Sequence, residues 1–304
     1  MSGPHSPAAF RTAWTSARVV ALWLIVLAIP ACERRPAVNT EAPTPFTLTD
    51  QQIASLNAMR VFFGHQSVGN NILLGVDEVM REDPRLKIRI VHSSDPASVS
   101  GPALIEFEIG RNGDTHSKDE AFSSVINRGG GLPGTVVLYK YCYADIDSST
   151  NVESVFQGYR RNVSALKARY PWLAIVHVTV PLTVAEGDVK SWIKRRLGRA
   201  TVRDLDVKRN QFNGLLAQEY RGTDPIFDLA GAESTRADGS RCLFWQGQDK
   251  IYALAPEFSS DGGHLNEAGR RAVAERLLET LARISARQSQ QTDRMTTHLS
   301  MNRG

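Results

Sequence analysis

The chain has 304 residues, of which 42% are hydrophobic and 22% are charged, so it can bury a sizeable core and has the composition of a globular protein. Its formal net charge is +4, and two of the positive charges, Arg11 and Arg18, lie in a segment that we expect to be removed, which lowers the charge to +2. So small and scattered an excess of positive charge argues against nucleic acid as a partner.

Residues 1–31 have the pattern of a targeting segment. A basic region is followed by an apolar stretch at 19–29, too short to span a bilayer comfortably. The stretch runs into Ala31-Cys32 and is similar to the lipobox of bacterial lipoproteins, although Pro30 departs from that pattern. The resemblance implies a lipoprotein signal peptide at 1–31, lipidation of Cys32 and a membrane anchor in the cell envelope. A plain secretory signal that precedes an unrelated cysteine is the alternative.

The residue after Cys32 refines the predicted location. It is Glu33 and not the aspartate associated with inner-membrane retention of such lipoproteins, so the resemblance implies the outer membrane, facing the periplasm. Residues 32–47 are polar and Pro-rich, as expected of a tether. We predict one domain at 48–287 and a disordered tail at 288–304.

Strands and helices alternate through the predicted domain. Runs of β-branched and aromatic residues predict strands at 61–64, 87–91, 135–141, 173–180 and 225–229. Helix caps are predicted at Asp50, Ser117 and Thr150, Asn266 opens the last helix, and 107–114 is predicted as a turn-rich loop. This alternation predicts an α/β fold in which helices cover both faces of a mainly parallel sheet.

A serine follows the first predicted strand almost directly. Helical spacing begins near Asn70, so Ser67 lies at a strand-to-helix junction. In α/β sheets the carboxyl ends of the strands face the crevice that binds ligands, and the next helix directs its N–H groups there. Ser67 is therefore a candidate nucleophile. Its alternative role is that of a helix N-cap, which serine also favours.

The loop before the last helix carries an acid and a histidine. Asp261 and His264 are three residues apart, among glycines. Serine catalysis needs a histidine as general base and a carboxylate that fixes its tautomer, and these two residues can supply both. A loop in which Asp261 has only a capping role is the alternative.

Taken together, a serine after the first strand and Asp-x-x-His before the last helix resemble the SGNH (GDSL-like) hydrolase family, over roughly residues 59–281. The resemblance implies a flavodoxin-like three-layer α/β/α sandwich, with Ser67 as nucleophile, His264 as base and Asp261 as its orienting acid. The residues around Ser67 do not match the Gly-x-Ser-x-Gly elbow of the α/β-hydrolases, whose acid and histidine also lie far apart.

The chain departs from the family in the residues expected to form the oxyanion hole. The first block reads His65-Gln66-Ser67 instead of Gly-Asp-Ser, and the third block has no Asn after its strand. The resemblance implies Gly113 as a backbone donor, with Gly110 as the fallback. Asn112 or Lys140 is then expected to replace the missing side-chain donor, although Lys140 could instead pair with a nearby aspartate.

No cofactor or metal is predicted, because His92, His116 and His177 lack ligand spacing and Gly129-Gly130-Gly131 lacks the Lys of a phosphate loop. The predicted function is that of a lipid-anchored serine esterase or acyltransferase. Its predicted partner is an ester-bearing small molecule or polysaccharide, such as an O-acetylated glycan. A non-catalytic module of the same fold, which binds a glycan or a protein, is the main alternative, and a lipase is a third.

Overall fold

The computed structural model describes residues 46–301 apart from 94, 188–190, 192 and 195, and it describes no side chain beyond 286. The predicted signal peptide, Cys32 and nearly all of the predicted tether therefore lie outside the described residues.

A six-stranded sheet forms the centre of the molecule. The strands are β1 Arg60–His65, β2 Ile90–His92, β3 Ala103–Glu108, β4 Thr135–Tyr139, β5 Ala174–Val178 and β6 Ile226–Phe227. Their order across the sheet is β2-β3-β1-β4-β5-β6, and every neighbouring pair is parallel. A separate antiparallel hairpin joins β7 Leu243–Gln246 to β8 Asp249–Tyr252.

Helices cover both faces of this sheet. They are α1 Asp50–Ala58, α2 Val68–Glu82, α3 Thr115–Val125, α4 Val152–Arg169, α5 Val202–Tyr220, α6 Leu229–Ser234 and α7 Glu267–Met301. Side chains of α1, α2 and α7 form one buried cluster with the sheet, and those of α3, α4 and α5 form another on the opposite face. The three-layer α/β/α sandwich predicted from the sequence is confirmed.

Successive side chains along each buried strand point to opposite faces of the sheet and so belong to different cores. In β1, Val61 and Phe63 belong to the cluster under α2, whereas Phe62 belongs to the cluster on the other face. In β4, Leu138 and Tyr139 divide in the same way. The strands are buried on both faces, which is why they appear in the sequence as nearly continuous apolar runs.

The order of the strands places a crevice beside Ser67. After β1 the chain forms β2 and then β3 on one side of it, and it then passes to β4 on the other side. Such a reversal leaves a gap outside the carboxyl ends of the two strands, here β1 and β4. Ser67 follows β1, and a short 3₁₀ helix, Tyr143–Asp145, follows β4.

Several local predictions need correction. The N-caps are Thr49, Asp114 and Asn151 in place of the predicted Asp50, Ser117 and Thr150. Each of these segments offers two or more residues of capping type, and the residue that stays extended while its oxygen accepts an N–H cannot be singled out by type alone. Asn266 does open α7, since its Oδ1 accepts the Gly269 N–H at 3.1 Å.

Three further features differ from the prediction or extend it. β3 and the β7–β8 hairpin are absent from the predicted strands. α7 extends to Met301, into the segment at 288–304 predicted as a disordered tail, since adding a residue to an existing helix needs no new nucleation. Cys142 is a free, buried cysteine, so it does not pair with Cys242. Along the described part of the chain, no helix has the length and apolar character needed to cross a membrane.

Candidate active site

The turn between β1 and α2 holds Ser67 in a strained conformation. Its φ of 53° and ψ of −106° make it the one residue other than glycine with positive φ in the part of the chain that the structure describes. A Cβ at Gly69 would lie 2.2 Å from the His65 ring, so the turn is also too tight for any larger residue there. The backbone is thus as sharp as a nucleophile elbow although the sequence lacks that motif.

The Ser67 side chain does not cap α2. It makes no hydrogen bond to the first turn of the helix. Its Oγ lies instead 2.6 Å from Nε2 of His264. The N-cap alternative therefore does not describe this serine, whose hydroxyl is directed at the loop before α7.

That loop also places Asp261 behind the histidine. Nδ1 of His264 lies 2.7 Å from Oδ2 of Asp261. The other carboxylate oxygen, Oδ1, accepts the backbone N–H groups of Gly263 at 2.9 Å and His264 at 2.8 Å. These two N–H groups, followed by the His264 side chain, hold the pKa of Asp261 well below its usual range. Asp261 is therefore an anion at neutral pH.

Further hydrogen bonds fix the loop against its surroundings. The Ser259 hydroxyl donates to the His264 carbonyl at 2.6 Å, which closes the turn. The Leu265 N–H donates to Oδ1 of Asn71 at 3.2 Å and so links the loop to α2, the helix that begins after Ser67. Two hydrogen bonds, Ser67–His264 and Leu265–Asn71, thus connect the serine turn and its helix to the histidine loop, although 197 residues separate Ser67 from His264.

The predicted oxyanion donors have other contacts in the structure. The Gly113 N–H donates to Oδ1 of Asp145 at 2.7 Å. Oδ1 of Asn112 accepts from Nζ of Lys118 at 2.9 Å, which leaves its amide N–H₂ as the donor. Nζ of Lys140 lies 3.4 Å from Sγ of Cys142 in a fully buried position, where burial lowers the lysine pKa. The partner of Asp145 is therefore Lys118, at 2.5 Å, and not Lys140.

Asp145 links the loop that carries Gly113 to the segment that follows β4. Besides Lys118 and the Gly113 N–H, it accepts the Cys142 N–H at 2.6 Å. The side chains of both Lys118 and Asp145 are 0% exposed. A buried pair of this kind is stable only because its remaining lone pairs are also satisfied, and removing one partner would leave a buried charge without compensation.

His65 pairs with a carboxylate of the neighbouring strand. It is buried beneath the Ser67 turn, with Nε2 3.0 Å from Oε2 of Glu106 on β3. Burial lowers the pKa of His65, against the opposing effect of Glu106. No sequence pattern pointed to Glu106, which lies in a strand that was not predicted.

A cleft of about 900 Å³ opens beside the histidine. Its wall includes Asp261, His264 and Tyr143. The remaining lining is mostly apolar, with three charged side chains; it includes Ile146, Val184, Leu205, Asp147, Glu186 and Arg209. Among the residues that the structure describes, no group of three or more His, Cys, Asp or Glu side chains is placed to hold a metal ion.

Tyr143 is the residue of this site that the sequence analysis missed. It begins the short 3₁₀ helix that follows β4. Its ring meets the His264 ring edge-on, with 5.9 Å between centroids. Burial raises the pKa of its phenol, and the nearby Ser67 hydroxyl opposes that rise. The available signal was its position, since exit loops of central strands line the crevice of such sheets.

No protein-family model matches the chain, and no curated protein matches it. Solved structures do. A Clostridium thermocellum family 3 carbohydrate esterase is 12% identical, with 75% of this chain and 97% of that chain covered and a TM-score of 0.43. A family 3 carbohydrate esterase from Talaromyces cellulolyticus is 13% identical, with coverages of 75% and 98% and a TM-score of 0.43. A member of the lipolytic G-D-S-L family from Veillonella parvula is 14% identical, with coverages of 73% and 97% and a TM-score of 0.39.

Proposed function

We propose that this chain is a serine esterase, which cleaves a carboxylic ester through an acyl-enzyme on Ser67. The observation that carries the proposal is the relay in which Ser67 Oγ lies 2.6 Å from His264 Nε2 and His264 Nδ1 lies 2.7 Å from Asp261 Oδ2. Hydrogen-bonded in this order, a hydroxyl, an imidazole and a carboxylate have the geometry of nucleophilic serine catalysis.

The steps follow from the protonation states. Ionised Asp261 keeps the proton of neutral His264 on Nδ1, so Nε2 has a free lone pair facing Ser67. As Oγ bonds to the carbonyl carbon of the ester, its proton moves to Nε2. The carbon–oxygen bond to the alcohol then breaks as His264 returns that proton to the leaving oxygen, and water repeats the sequence to release the acid. Transfer of the acyl group to another alcohol would use the same steps.

The cleft supports a substrate with one apolar part. Its lining combines apolar side chains with charged groups, a mixture that suits an ester with an acyl group and a polar alcohol. We propose an ester of the cell envelope, and an O-acetylated glycan is the example that the predicted location suggests. Neither an acyl group nor an alcohol is specified by a particular residue.

We also propose the lipid anchor at Cys32, with the protein held on the outer membrane and facing the periplasm. The support is the sequence pattern alone. Cys32→Ala is expected to move the protein from the membrane fraction to the soluble fraction. Soluble wild-type protein with an unmodified Cys32 would refute the anchor and leave the proposed chemistry unaffected.

A non-catalytic binding module is the second candidate. It is favoured by the Gly113 N–H, which Asp145 engages, and by the absent block-three Asn, because both reduce the donors for a tetrahedral intermediate. Turnover that depends on Ser67 separates the two candidates.

The test is hydrolysis of a short-chain aryl ester by purified variants. Ser67→Ala and His264→Ala should each remove nearly all turnover, and the double variant should be no worse than either, because residues that act as a unit are not additive. Asp261→Asn should have a smaller effect. Ser124→Ala and His116→Ala, the same two changes on α3, serve as controls. Wild-type turnover in Ser67→Ala would reject the esterase.

A further inference from the structure

Tyr143 brings a phenol to the wall of the cleft, next to the candidate base. Its ring packs edge-on against His264, whose Nε2 lies 2.6 Å from Ser67 Oγ. A Cβ on Gly263 would lie 3.2 Å from the hydroxyl oxygen, so the loop that carries Asp261 and His264 closes directly over the phenol. Burial raises the pKa of this phenol, and the nearby Ser67 hydroxyl opposes the rise.

A buried ion pair holds this tyrosine in place. Nε of Arg209 donates to the Tyr143 carbonyl at 3.0 Å, and its guanidinium carbon lies 5.6 Å from the centre of the ring. Arg209 is in turn bonded to Asp206 at 2.8 Å, and both are buried. A donor that is already positioned needs no reorganisation when charge develops, which is the requirement for stabilising a transition state.

The rival donors are less suitable. Lys140 is fully buried, and its Nζ lies against Cys142. Asn112 is exposed, and its amide oxygen is held by Lys118. Of these three residues, Tyr143 is the one that lines the cleft together with His264.

We propose that Tyr143 is a catalytic residue whose hydroxyl donates a hydrogen bond to the oxyanion of the tetrahedral intermediate, in the role left open by the absent Asn. When Ser67 Oγ bonds to the carbonyl carbon, the π electrons move to the carbonyl oxygen and the Ser67 proton moves to His264. The Tyr143 hydroxyl donates its hydrogen bond to that oxygen and keeps its proton throughout. This inference rests on the proposed esterase function.

The phenol remains a donor across the neutral range. Burial, and then the charge of Asp261, raise the pKa of Tyr143 above its usual value, while Arg209 and the nearby Ser67 hydroxyl oppose the rise. A neutral phenol donates without a counter-charge.

The decisive variant is Tyr143→Phe, which removes the hydroxyl and keeps the ring. It should lower kcat for the aryl ester about a hundredfold to a thousandfold with little change in KM, the loss typical of one oxyanion donor. Affinity for an alkyl boronic acid, which forms a tetrahedral adduct on serine, should fall in parallel. Tyr170→Phe is the matched control, since it removes one hydroxyl bonded to Asn127 at 3.2 Å, away from the site.

Each other outcome overturns the inference. Normal kcat in Tyr143→Phe, alongside wild-type turnover that Ser67→Ala abolishes, rejects Tyr143 and keeps the esterase. A raised KM with unchanged kcat would show that the Tyr143 hydroxyl contributes only to substrate binding. A lowered kcat with unchanged boronate affinity shows that the hydroxyl positions Ser67. Turnover that survives Ser67→Ala rejects the esterase, and this inference with it.

Discussion

Ser67 has a backbone conformation that costs a residue with a side chain about 1–3 kcal/mol. The surrounding contacts hold Ser67 in this conformation, since β1 is buried on both sides and Gly69 lies against His65. The strained turn exposes the hydroxyl to His264 and leaves it outside the helix cap. This residue therefore lowers stability in the same conformation that makes it available for catalysis.

Glycine at this position should release the strain. Ser67→Gly is expected to be more stable than Ser67→Ala by about 1 kcal/mol, because glycine adopts positive φ freely and alanine does not. Urea unfolding of the two inactive variants measures the difference without interference from turnover. Equal or reversed stabilities would mean that the turn relaxes in solution and carries no strain.

At the scale of elements, the sequence predicts a strand where the residues are uniformly apolar and misses one where a buried charge interrupts the run. β1, β4 and β5 have such runs, and each was found. β3 contains Glu106, which is only 12% exposed because it meets His65 of the neighbouring strand. A partner across the sheet cannot be read from the strand's own residues, so the sequence does not predict a strand there.

The residues of the candidate site also fall into two groups, those that the sequence reveals and those that it does not. Ser67, Asp261 and His264 stand out because their types and spacing carry chemistry within short stretches. Tyr143 does not, because its place beside His264 depends on how β4 lies beside β1 and on the burial of Arg209. The engagement of the Gly113 N–H by Asp145 also depends on tertiary contacts, since 32 residues separate the two.

The packing of α2 on α7 supports this arrangement, since α2 follows Ser67 and α7 follows His264. A Cβ on Gly75 would lie 2.3 Å from the Arg270 carbonyl oxygen, so the two backbones approach closely there. Gly75→Ala should destabilise the protein by about 1–3 kcal/mol through overpacking. Denaturant unfolding measures this change.

Gly158→Ala is the control within α4, where the nearest atom to a new Cβ is 3.9 Å away. It should be neutral or stabilising by up to about 1 kcal/mol, because alanine favours helix. Equal effects at both positions would contradict the close approach of α2 and α7.

Across the whole molecule, buried carboxyls link stability to pH. Glu233 is fully buried, and burial raises its pKa to about 8, against the opposing Leu182 N–H, Lys140 and Arg209. In the unfolded chain a glutamate side chain has a pKa of about 4.3. The pKa of Glu233 is therefore higher in the folded state than in the unfolded state. The contribution of Glu233 to the free energy of unfolding is fully present below the unfolded pKa, and it is lost as pH rises towards about 8.

Glu233→Gln should remove that loss. The amide keeps an oxygen for the Leu182 N–H, which donates to Glu233 Oε2 at 2.8 Å, and it does not titrate. Burial also raises the pKa values of Asp119 and Asp206 to about 6, so both proteins should weaken up to that pH. Between about pH 6 and about pH 8, only the wild type should continue to lose unfolding free energy in urea. Parallel losses in both proteins would show that another group is responsible.

The most direct test of the proposed function is the reaction of the purified protein with a fluorophosphonate, followed by intact mass and peptide mapping. The relay of Ser67, His264 and Asp261 predicts one adduct, located on Ser67, that is absent in Ser67→Ala and forms much more slowly in His264→Ala. No adduct under conditions that label a known serine esterase, or an adduct that persists in Ser67→Ala, would contradict the proposal.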